Sequence, residues 1–221
     1  MIDKIYKNKM NEISKEIKEK LQMNAKSIIN YKENHDSTMD FPFININQNM
    51  SKITICFTGK WNDTYQLSHE LLHLFFAENN NFNMNTDTTW VEEIVCEAFS
   101  IYCLSIYENA NLYDLKATST WFGMWFPDFY LKAVALCEKD MIGDISLEEL
   151  NTKLSNHKSN EILHFIHPTV LEVKNIIEED FDQLLLFSKF PSHSKGFRLT
   201  KEYSKCNKIA EIIYNFQESL K

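Results

Sequence analysis

Glycine and proline are scarce in this chain, four of each in 221 residues. So few turn residues argue against a loop-rich or many-turned β fold, and a mostly helical chain fits better. Positive charge is short as well. With 23 basic and 31 acidic side chains the net charge is −8 and the pI near 5.4. Nucleic acid and anionic membranes both need a positive footprint, so neither is an expected partner. The five cysteines, Cys56, Cys96, Cys103, Cys137 and Cys206, are odd in number and contain no C-x-x-C pair. They read as reduced thiols, not as a disulfide frame or a cysteine zinc site. The opening stretch, MIDKIYKNKMNEISKEIKEK, lacks the apolar core of a signal peptide, and no window approaches membrane-spanning length. The cytoplasm is therefore the expected location. A phosphate-cradling glycine loop, a G-x-S-x-G elbow and EF-hand spacing are all missing too.

What is present is apolar material, 44% of the residues, with aromatics at 13%. That suffices for one large domain or for two small lobes sharing a cleft. Residues 3 to 31 carry Ile5, Ile13, Ile17, Leu21, Ile28 and Ile29 roughly on one helical stripe. Their interleaved lysines and acids, Glu16 and Lys20 among them, read as a solvated face. FPFININ (41–47) and KITICFTG (52–59) predict two strands in a hairpin. Asp63 with Gln66 predicts a capping box and a helix from about Thr64 to Glu78, and Thr89 with Glu92 predicts a second through residues 90–108. Helical patterns continue at 120–140, from Ser146 to Leu154, from Pro168 to Phe187 and from Thr200 onward, with a break at PSHSKG (191–196).

The helix predicted from about Thr64 to Glu78 carries the chemistry. LSHELLHLFF (67–76) places His69 and His73 four residues apart, hence on one helix face, where both imidazoles can address one ion. Glu70, about 100° around the helix, is placed to act on a water as general base instead of binding the metal. Two histidines leave a tetrahedral zinc short of protein ligands. Glu93, twenty residues past His73 and one turn into the next capped helix, is the candidate third ligand. Glu97, one turn later, is placed to accept a hydrogen bond from the free ring N–H of a ligating histidine.

HELLH followed by WVEEIVCEAFSIY resembles the gluzincin metallopeptidases, in which the third zinc ligand is a glutamate on the following helix. The likeness covers residues 64 to 104. It departs from the common pattern at Glu97, where aspartate or asparagine is usual, and at Ile94, where gluzincin aminopeptidases carry glycine. The E-x-x-C-E-x-F-S run is similar to the E-x-x-A-N-x-F-A stretch of small cytosolic peptidases that act on phage-type repressors. The metzincin extension is absent.

The resemblance implies one Zn2+ per chain held by His69, His73 and Glu93, with Glu70 as base, Glu97 behind the ligands, and a peptide or protein as substrate. It implies an α+β, mainly α, zincin-like fold. This would be a single catalytic domain, with an N-terminal lobe to about residue 78 and a helical C-terminal lobe from about residue 88. Gluzincins commonly draw a transition-state donor from the C-terminal lobe. Here the candidates are His164 and His167, beside His157 and the tyrosines 102, 107, 113 and 130. The family also implies that KITICFTG serves as an edge strand for an extended peptide. The aromatic cluster TWFGMWFPDFY (120–130) reads as core before it reads as pocket. The rival to catalysis is a zinc-binding regulatory or interaction protein on the same fold.

Overall fold

The computed structural model describes residues 4–33, 42–57, 61–82, 86–107, 145–155 and 163–220. Helices dominate, and a small mixed sheet accompanies them, so the class is α+β, mainly α. The chain divides into two compact units. One holds the residues up to Phe82 together with the second half of a long helix. The other holds the first half of that helix and the C-terminal elements.

The first unit opens with α1 (Lys4–Lys20), which buries Met10, Ile13 and Ile17. The helix ends where Gln22 turns left-handed at φ 56°, and the Met23 N–H reaches back to the Lys18 carbonyl at 2.9 Å. This is a Schellman closure built on glutamine where glycine is usual. The predicted helix through residue 31 is thereby cut short. Ser27–Glu33 forms strand β1 instead, its β-branched and aromatic residues suiting a pleated surface.

Strands β2 (Phe43–Asn45) and β3 (Ser51–Phe57) form the predicted antiparallel hairpin. The sheet order is β1-β3-β2, with β1 parallel to β3 from Ser27↔Ser51 to Glu33↔Phe57. KITICFTG is thus the middle strand, flanked on both sides, and offers no edge for a peptide. The first unit is completed by α2 (Trp61–Asn79), packed on α1 and β3. Asp63 lies inside its first turn, buried, and accepts a hydrogen bond from the Tyr6 hydroxyl, so it does not cap the helix. Gln66 is not a capping partner either. Its Nε2 donates to the Cys56 carbonyl at 3.2 Å and its Oε1 accepts from the Cys56 N–H at 2.7 Å. That pair pins α2 to the end of β3.

Helix α3 (Thr89–Tyr107) starts as predicted, after a 3-10 turn at Thr86–Thr88. In the second unit its first turn is held by α4 (Leu147–Ser155), where Asn151 Oδ1 accepts the Trp90 N–H at 3.0 Å. The Trp90 indole N–H donates to the Phe197 carbonyl at 2.9 Å, and its ring packs on Phe216. The span read as one helix from Pro168 to Phe187 is two: α5 (Leu163–Glu179) and α6 (Asp182–Phe187). Pro168 sits inside α5, not in its first turn. The PSHSKG break holds a short hairpin, β4 (Ser194–Lys195) and β5 (Arg198–Leu199), around Gly196 at φ 55°. Two helices follow, α7 (Lys201–Ser204) and α8 (Lys208–Ser219). The second is capped by Asn207, whose side chain accepts from the Ala210 N–H at 3.0 Å.

No helix among the described residues is long and apolar enough to cross a membrane.

Candidate metal centre

The apolar residues of α2 are buried on several sides: Leu67, Leu71, Leu72, Leu74 and Ala77 have no exposed surface. The i, i+4 spacing puts His69 and His73 on one stripe of this helix. Their Nε2 atoms stand 3.1 Å apart, with ring centroids at 4.8 Å and planes inclined by 64°. Two nitrogens on one tetrahedral zinc, at bonds of about 2.0–2.1 Å, lie about 3.3 Å apart. The pair therefore stands at ligand spacing. In the metal-free chain the same approach is met by one ring taking the Nε2–H tautomer and donating to the other. Tyr65, one turn before His69, stacks its ring at 6.4 Å from that imidazole. Glu70 is buried, 5% exposed, on the neighbouring stripe of the same turn.

Cys96 lies on α3 and is fully buried. Two turns later on the same face, the Cys103 thiol is hydrogen-bonded with Ser68 of α2, and burial pushes that thiol well above its ordinary value.

Glu93 and Glu97 sit one turn apart on α3, both half-buried. Burial pushes the Glu97 carboxyl up to about 7. His164 and His167 fall on α5, but their side chains lie outside the described residues, as do His157, Tyr113, Tyr130 and the 120–130 cluster. Tyr102 and Tyr107 are buried in the first unit. Tyr102 receives the Lys20 ammonium 5.3 Å from its ring centroid. The Tyr107 phenol is pushed upward by burial first, then by Cys103 and by its hydrogen bond to Glu16. Both tyrosines are thus engaged with α1.

A cavity of about 480 Å³ runs along α1 and β1, with Lys15, Lys18 and Lys26 in its walls, and none of its lining comes from α2 or α3. It plays no part in the paired imidazoles. No family model matches the chain, and neither a curated protein nor a solved structure shows significant similarity to it.

Proposed function

We propose that the protein is a zinc-dependent metallopeptidase. The observation that carries this reading is the pair of Nε2 atoms at 3.1 Å on one helix, with a buried glutamate directly after the first histidine. Nitrogen donors at that spacing suit zinc. His69 and His73 would hold the ion, and Glu93 on α3 would supply a further ligand. Glu97, four residues on, would orient a ligating imidazole. When bound, zinc would polarise the scissile carbonyl and acidify a water. Glu70 would be the residue that accepts a proton from the attacking water and delivers it to the leaving amine. His164 or His167 would donate a hydrogen bond to the developing oxyanion. The substrate class is a peptide or protein.

A second reading is a zinc-binding regulatory or interaction protein with little turnover, in which a fourth protein ligand would leave no position for water.

The two readings part at Glu70→Gln. Under the peptidase reading zinc content stays at one per chain while hydrolysis of denatured casein falls at least about 100-fold. Wild type that binds zinc but cleaves neither casein nor a peptide library would overturn the peptidase reading in favour of the regulatory one.

A further inference from the structure

We infer that the outer edge of β1, with the lysine-lined groove between it and α1, docks a short extended segment of an acidic partner protein. This does not depend on the metal reading, and every residue it uses belongs to the first unit. The edge is the first support. Among the described residues β1 pairs with β3 alone. The Ser51 N–H donates to the Lys26 carbonyl at 2.9 Å, and the groups of successive residues point to opposite sides of a strand. The backbone N–H and C=O of Ser27 and Ile29 therefore point away from β3, where an added strand would meet them.

The groove is the second support. Ser27 and Ile29 also line the cavity of about 480 Å³, together with the α1 stripe Asn11, Ser14, Lys15 and Lys18. That stripe runs about 10 Å, the length of roughly three strand residues. The Ser27 Oγ is buried there and meets no hydrogen-bond partner, so an incoming segment finds a hydroxyl beside the backbone groups. Charge selects the occupant. Lys15 is paired with Glu19 at 3.6 Å, and Lys18 and Lys26 leave the lining net positive in a chain of net charge −8. Burial holds the Lys18 ammonium below its ordinary value, with Glu78 opposing; the Glu78 carboxylate also accepts the Asn24 N–H at 2.9 Å. A carboxylate arriving beside Lys18 replaces hydration lost to burial. Two copies meeting through this edge would bring like charges together, so the lysines oppose self-pairing and favour an acidic strand.

The test is fluorescence anisotropy of a labelled eight-residue peptide of alternating valine and glutamate, titrated with the full chain. The peptide should bind saturably at one per chain, equally with and without a chelator, while a valine–lysine peptide should not bind. Lys18→Gln with Lys26→Gln should weaken binding at least about ten-fold. Methylating alternate backbone nitrogens of the peptide should do the same, because it removes the strand hydrogen bonds and leaves the charge. That arm leaves the protein untouched, so it decides the matter even if the double variant folds poorly. Equal binding of the methylated peptide would overturn the inference, as would equal binding to the lysine variant or no binding at millimolar protein. A single-stranded oligonucleotide binding in the peptide's place would overturn the assignment to a protein partner. Binding that vanished with the chelator would overturn this groove as the site and point to the metal centre.

Discussion

Individual side chains in the first unit serve in positions where their pairing, not their type, sets the outcome. Tyr6 and Tyr31 meet edge to face at 6.3 Å, and Tyr6 donates to the buried Asp63. Burial raises the Tyr31 phenol from near 10 to about 12, with the Asp63 charge adding to the shift. Below pH 10 the phenol is protonated in both folded and unfolded chains, and its contribution to stability is fully present. Above 10 the unfolded chain ionises first, so that contribution is lost as the pH climbs towards about 12. Urea midpoints measured across that window should fall for wild type and fall less for Tyr31→Phe. Parallel curves for the two would refute the assignment. The pairing of His69 with His73 was legible from their spacing alone.

At the scale of elements, one device occurs twice. Gln66 of α2 exchanges two hydrogen bonds with the backbone of Cys56 on β3. Gln217 of α8 does the same with Leu199 on β5, accepting from its N–H at 2.7 Å and donating to its carbonyl at 3.3 Å. A primary amide presents a donor and an acceptor side by side, as a neighbouring strand does. It therefore satisfies strand groups that the sheet leaves unpaired. Replacing either glutamine by leucine strands a buried N–H and a buried carbonyl, a loss of about 2–3 kcal/mol each. Replacement by glutamate keeps the acceptor but loses the donor. Urea denaturation of the four variants checks this, and a loss under about 0.5 kcal/mol for the leucine variants would be incompatible with it. Sequence suggested a capping role for Gln66 because capping boxes are local patterns. The strand contact joins residues ten apart in the chain and leaves no local trace.

For the whole molecule, the proposed metal binding would be linked to folding. An ion that binds only the folded chain stabilises it by about 4 kcal/mol at a thousand-fold excess over its Kd. For a chain of this length that corresponds to a rise in Tm of roughly 8–16 °C. Removing zinc with a chelator should therefore lower the Tm of wild type by about that much and leave His73→Ala unchanged. Equal melting of treated and untreated wild type would show that no ion is held. The division into two compact units places the halves of α3 in different units. Within the second, Asn151, Phe197 and Phe216 secure the Trp90 end of the helix.

Local rules settled much of this protein in advance. Scarce glycine and proline announced a helical chain, and strand-prone runs announced the β2–β3 hairpin. The Thr89–Glu92 pattern set the start of α3, and i, i+4 spacing put two imidazoles on one face. Each of these depends on residues a few positions apart, which sequence records directly. Tertiary structure alone decided the rest. Ser27–Glu33 became a strand because β3 was there to pair with it, after Gln22 had closed α1 in a conformation usually given to glycine. Parallel pairing made β3 the middle strand instead of an edge. Non-local pairing and helix rotation are fixed by packing against partners distant in the chain, and a sequence lists those partners without saying which ones meet.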